Sequence, residues 1–403
     1  MSDGARGSPF LSYGFRPFFL FAGVYAVLAM AAWIAWLVLH WMNGAVLRPT
    51  IAGPPHLWHG HEMIFGYASA VISGFLLTAV PSWTGAKPIS GPPLAVLAVL
   101  WLAGRAVMWF SDFLPSLIVA VVDWTYLPVL ATVAAKSLVV KPAPRNLVFL
   151  ALLGLMAVAN AAVHLEWLDQ REDSASWGLA LAIMTVSLMM VIVGGRIVPA
   201  FTRNTLIRRG EAANKLPVSH PRLEIAAMAS TVALVACYLA SLPDAVTGTV
   251  ALFAGLANLL RLAHWRSAAT LGEPILWSLH LGYGFIPLGY LAIASARLAG
   301  LMPETAAIHL LAVGAVGVLT LAVMSRAALG HTGRPLVVAP AMALSYGAVA
   351  LAAIVRAFGP QIPGNDYFLT IFLAGGLWVC GFALFAALYL PVFIGPKKSP
   401  NES

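Results

Sequence analysis

Residues 54–62 read Pro-Pro-His-Leu-Trp-His-Gly-His-Glu, placing three histidines and a carboxylate at the mouth of a long apolar run. Imidazole is the commonest protein ligand for transition metals and also holds haem iron. Ionisable groups at membrane depth are costly enough to imply a use. On an α-helix, His56 and His59 lie about 60° apart and Glu62 a further 60° round, so the three share one face. His61 points roughly 200° away from His59 by the same geometry. Two arrangements are open. One helix can present His61 as a haem ligand on one face and a metal-plus-carboxylate set on the other, or an irregular first turn can bring all three imidazoles together.

The remaining histidines are not scattered at random. His40, His56, His59, His61, His164 and His309 fall near one end of the apolar runs, and His220, His264, His280 and His331 near the other. His61 lies about 9 Å inside its run and His309 roughly 6 Å inside another, at 1.5 Å per residue. Two imidazoles entering from one side at matching depth can grip a planar macrocycle between facing helices. The expected cofactor ligands are therefore His61 or His59 with His309. His56, His59, His61, His280, His309 and His331 form the wider set of metal-ligand candidates, and Glu62 is the candidate catalytic proton donor. At the opposite end, Arg196, Arg326 and Arg334 can clamp an anion such as a haem propionate or a lipid phosphate; the plainer reading is that they complement helix C-termini. Asp123 is the most deeply placed acid and is read as a proton relay or as the partner of an arginine such as Arg105. Cys237 and Cys380 read as small buried apolar residues that form no disulfide.

The elements that must hold these groups follow from composition. Of 403 residues, 61% are hydrophobic and 9% charged, and the mean hydropathy is +0.88. Soluble proteins carry about 25% charged residues. Twelve apolar runs each reach the roughly 20 residues needed to cross a bilayer as helix, and none shows the strict alternation of barrel strands. The expected fold is all-α: one transmembrane domain over residues 1–403, with short cytoplasmic tails at 1–16 and 393–403. The first run is too long for a signal-peptide core and reads as a retained span. With both termini in the cytoplasm, 17 of the 23 Lys and Arg residues fall inside. Five fall outside, namely Arg48, Arg105, Arg171, Arg297 and Arg356, and Arg196 lies within the sixth run. That is the positive-inside pattern. The net charge of +8 follows from this sidedness and requires no nucleic-acid partner.

Several motifs together resemble the NnrS family: Arg16-Pro17-Phe18-Phe19, His59-Gly60-His61-Glu62-Met63 continuing to Gly74–Ala79, Trp83-Thr84-Gly85, Gly194–Thr202, and the His309 run ending in Leu329–Arg334. The similarity runs from residue 10 to about 390. It implies a twelve-span protein of the bacterial inner membrane that carries haem b and copper and takes part in resistance to nitric oxide. A fainter likeness is to haem–copper oxidases, in which histidines of spans two and ten hold a b-type haem. Spans six and seven contain no histidine here, so the copper-site histidines of those oxidases have no counterpart.

The reading that results is a membrane oxidoreductase resembling nitric oxide reductases, which binds nitric oxide and draws electrons from an unidentified donor. The alternatives are a secondary transporter, or a haem protein that senses nitric oxide or passes electrons without turnover. Against transport, the histidine-rich opening of span two has no match in span eight.

Overall fold

Proline and glycine set the helix boundaries. Five of the long helices open with proline at the first helical position, where its missing N–H is no loss. Two end on a left-handed glycine, Gly85 and Gly300. The computed structural model describes residues 8–42, 50–140 and 144–398. Residues 1–7 and 399–403 of the expected tails, and Arg48, lie outside the described residues.

Twelve helices are long and apolar enough to cross a membrane. They are α1 (Phe15–Trp41), α2 (Pro55–Thr84), α3 (Pro92–Trp109), α4 (Ser116–Val139), α5 (Arg145–Trp167), α6 (Ser174–Arg208), α7 (Pro221–Leu239), α8 (Asp244–Ala263), α9 (Pro274–Ala299), α10 (Glu304–His331), α11 (Pro340–Gln361) and α12 (Tyr367–Ile394). No strand occurs among the described residues. The expected all-α, twelve-span architecture is what the chain adopts.

The helices form two compact units. The first holds residues 1–182, 327–335 and 385–403, and the second holds residues 183–326 and 336–384. In the first unit, α1 packs on α2, and α3, α4 and α5 pack in sequence order. In the second, α7, α8 and α9 do the same, and α9 also packs on α10.

The sixth span runs past the Gly194–Thr202 motif to Arg208, with Pro199 inside it. The Thr202 hydroxyl bonds back to the Val198 carbonyl within that turn, and membrane helices tolerate proline when local groups re-satisfy the backbone. Arg105 is not a loop charge: it lies within α3 and is 6% exposed. Removing it from the outer count sharpens the Lys/Arg asymmetry. As for the cysteines, Cys237 is buried, but Cys380 is exposed on the surface of α12.

Two helices change their winding midway. α2 is α-helical to His61, π-helical over Glu62–Ala68, then α-helical again. α10 does the same, with a π segment over Leu310–Leu319 immediately after His309. π turns are rare and concentrate at functional sites. Both lie in helices whose apolar stretches are mostly buried, 78% for α2 and 72% for α10.

Candidate functional site

Five helices of the first unit converge on a buried polar network. His61 and Glu62 come from α2, Arg105 from α3, Asp123 from α4, Asn160 and His164 from α5, and Tyr25 from α1. Arg105 joins the two acids: its Nη1 donates to Glu62 Oε1 at 2.6 Å, and its Nη2 donates to Asp123 Oδ1. His61 joins the same pair on a second path. Its Nδ1 lies 2.8 Å from Glu62 Oε1, and its Nε2 lies 2.9 Å from Asn160 Oδ1 and 3.2 Å from Asp123 Oδ2. His164 Nε2 and Asn160 Nδ2 each lie 2.9 Å from Asp123 Oδ2. The Tyr25 hydroxyl donates to Glu62 Oε2. His61 and Glu62 are 0% exposed and Asp123 is 2% exposed, so every charge here relies on these partners.

Local sequence explains how the groups meet. Asn160 and His164 are four residues apart on α5 and therefore share a face. Gly66 falls within the π segment of α2. A Cβ there would strike the Tyr25 ring and come within 3.1 Å of Arg105 Nη1. Gly104 lets α3 approach α4, since a Cβ would lie 3.2 Å from Asp123 Oδ1. The indole of Trp101 donates to the Gly66 carbonyl at 3.2 Å, satisfying backbone that the altered winding frees. Phe65 and Trp167 pack against the His61 ring with centroids 4.9 and 5.6 Å away. Trp109 Nε1 donates to the Tyr25 hydroxyl at 2.7 Å.

Chemically, three groups stand out. One ligand atom each from His61, Asp123 and His164 lies within 4.8 Å of the others, a spacing that can hold a metal ion. With neutral imidazoles and both acids ionised, the network sets two carboxylates against one guanidinium and carries one excess negative charge, which a proton on Glu62 also removes. An added cation, whether a proton on an imidazole or a metal ion, balances it.

The sequence-derived candidates divide as follows. His61 and Glu62 come together in the buried network, whereas His56 and His59 are not among the residues that build it. The π segment of α2 begins at Glu62, immediately after the helical turn that carries the histidines. His56 is exposed at the start of α2. His59 stacks on Trp33 at 4.7 Å, continuing through Trp36 to His40 as a ladder of near-parallel rings. His309 belongs to the second unit, and its Nδ1 lies 2.6 Å from the Thr305 carbonyl of its own helix. His280, also in the second unit, has Thr202 on Nε2 at 2.7 Å and Ser267 on Nδ1 at 2.9 Å, the pattern of a hydrogen-bonded structural histidine. His331 and Arg334 lie in the first unit, where His331 stacks on Tyr13. Arg196 and Arg326 lie in the second. Arg196 is exposed, and Arg326 sits 4.0 Å over the Phe201 ring.

Sequence reasoning offered Arg105 as a partner for Asp123, and the two do pair, but it counted Arg105 among the outer charges, left His164 in the outer histidine cluster without a role, and passed over Tyr25 and Asn160. One signal was available. Asn160 and His164, one turn apart on an otherwise apolar helix, form a polar face that requires a buried partner.

Compared with known families, residues 9–397 match the sequence model described as NnrS protein. A comparison with curated proteins gives no significant match. The matched stretch includes every residue of the polar network, from Tyr25 on α1 to His164 on α5, and nearly the whole chain besides. This chain belongs to the NnrS family.

Proposed function

We propose that this protein binds nitric oxide at a metal centre held by His61, Asp123 and His164 within the membrane, and reduces it. The observation that carries this reading is the convergence of two imidazoles and one carboxylate from three helices, fully buried and within 4.8 Å of one another. Such a set suits a first-row transition metal. Copper, which the family implies, fits the donor chemistry and the charge deficit of the network. When bound, copper supplies a one-electron redox couple and a position for a diatomic ligand.

The chain's own residues account for the rest. Conversion of two nitric oxide molecules to nitrous oxide and water consumes two electrons and two protons. Glu62 is the proton-handling group, because it touches the ligand His61 on one oxygen and the Tyr25 hydroxyl on the other. Arg105 fixes both carboxylates in place. The Phe65 and Trp167 rings keep water from His61. Nitric oxide is small and apolar, so it reaches a buried site through the bilayer without a polar channel. The site lies toward the periplasmic end if both termini are cytoplasmic, as the positive-inside pattern supports; a bacterial inner membrane is the setting proposed.

Glu62→Gln preserves size and keeps one acceptor oxygen for Arg105, while the amide nitrogen that replaces the other oxygen can donate to the Tyr25 hydroxyl. It is expected to retain bound metal and the optical spectrum while nitric oxide consumption falls about 10²- to 10⁴-fold, the usual worth of a general acid. Consumption at the wild-type rate would remove Glu62 from the mechanism.

A b-type haem is the second group the family implies. His61 does not fit as its axial ligand, because its ring is fully buried against Phe65, Trp167 and Asn160, a packing that suits a single ion but not a macrocycle. A remaining candidate is His309, whose Nδ1 lies 2.6 Å from the Thr305 carbonyl, a backbone contact that fixes the ring's orientation. The expected result is that His309→Ala removes a haem absorption band from the purified protein while His61→Ala retains it. The reverse outcome would return His61 to the ligand set.

A further inference from the structure

At the far end of α2 from the polar network, α2, α3 and α4 of the first unit leave a cavity of about 440 Å³ between them. That volume is within the roughly 300–1,000 Å³ of ligand pockets. Leu77 on its wall is some 22 Å along α2 from Glu62, at 1.5 Å per residue, so this is not part of the metal site. The wall is apolar, with Leu76, Val80, Leu97, Leu100 and Val133 among its residues. Two cations complete it: Lys87, in the connection from α2 to α3, and Lys136, in the last turn of α4. No acidic residue lines the cavity.

This combination matches an amphiphile with a negative head. Lysine lays its apolar stem along a membrane-facing groove and lifts its ammonium to headgroup level. Basic pockets between membrane helices on the cytoplasmic side bind anionic lipid heads. A neutral quinone would leave two ammonium groups in one groove without a counter-charge, and a zwitterionic head would bring its own cation up beside them. α3 also begins at the groove, at Pro92, so its positive dipole end adds to the field. We propose that this groove binds one anionic phospholipid, with an acyl chain between α2, α3 and α4 and the phosphate between Lys87 and Lys136. The proposal goes beyond the nitric oxide reading and does not depend on it.

The test uses the full-length protein in nanodiscs of phosphatidylcholine doped with spin-labelled phosphatidylglycerol. The wild type is expected to immobilise the labelled lipid in preference to spin-labelled phosphatidylcholine. Lys87→Gln with Lys136→Gln should weaken phosphatidylglycerol binding about thirtyfold, as two lysines at a membrane surface predict. Val133→Trp, which fills the groove, should reduce immobilisation of both lipids. Metal content should be unchanged in all variants. The proposal fails if the double lysine variant keeps the wild-type preference, or if inorganic phosphate displaces the lipid completely. It also fails if the molecule released on filling the groove is an isoprenoid quinone.

Discussion

Replacing Arg105 with methionine is expected to destabilise the first unit by about 3–5 kcal/mol, the cost of breaking a buried ion pair and stranding its partner. Here the penalty falls twice, because one guanidinium serves both Glu62 and Asp123, neither of which reaches water. The unfolding midpoint in detergent should drop by on the order of 10 °C. The diagnostic comparison is the triple variant, which adds Glu62→Gln and Asp123→Asn to Arg105→Met. With the charges removed together, the penalty for unpaired buried charge disappears, and the triple variant should melt above the single one. A single variant as stable as the wild type, or a triple variant less stable than the single, would show that the guanidinium is not what holds the two acids in the membrane.

His164→Gln is expected to abolish tight copper binding, with affinity falling by more than the 10- to 100-fold that loss of an outer-shell partner typically costs. This variant is cleaner than Asp123→Asn. Asp123 carries the Arg105 pair as well as a ligand oxygen, so its loss would mix folding with metal affinity. Among the described residues, His164 meets the site through Asp123 Oδ2, the edge of the His61 ring and the Trp167 ring, and the Arg105 pairs do not involve it. Copper content of the purified, folded protein is the readout, with His56→Ala as a control expected to bind normally. One full equivalent of copper retained by His164→Gln would refute the metal centre. Loss of copper in His56→Ala alone would move it to the mouth of α2.

The two predictions are coupled through charge. If copper occupies the site, Arg105→Met should be less damaging in copper-loaded protein than in metal-free protein, because the metal supplies part of the missing positive charge. Measuring both melting points on one preparation checks the charge count directly.

What the amino-acid sequence determined by itself was everything that depends on local composition and period. Twelve apolar runs of helical length became twelve helices. Prolines such as Pro55, Pro92 and Pro274 marked where helices begin, because a first-turn residue needs no N–H donor. The run from His56 to Glu62 was legible as a polar segment in an apolar span, and two of its residues, His61 and Glu62, enter the buried network. The family motifs were legible too.

What only the tertiary structure decided was which of these groups meet. Glu62 and Asp123 are 61 positions apart, and Arg105, which the sequence offered as a partner for Asp123 alone, pairs with both once α3 is packed. His164 and Asn160 gained a role only when α5 packed on α4. The π segments that follow Glu62 and His309 are likewise beyond an ideal 3.6-residue count. Helix formation in a bilayer is a local requirement, met by each span's own backbone hydrogen bonds. Pairing among buried charges is a property of how separate spans pack, and no single span contains it.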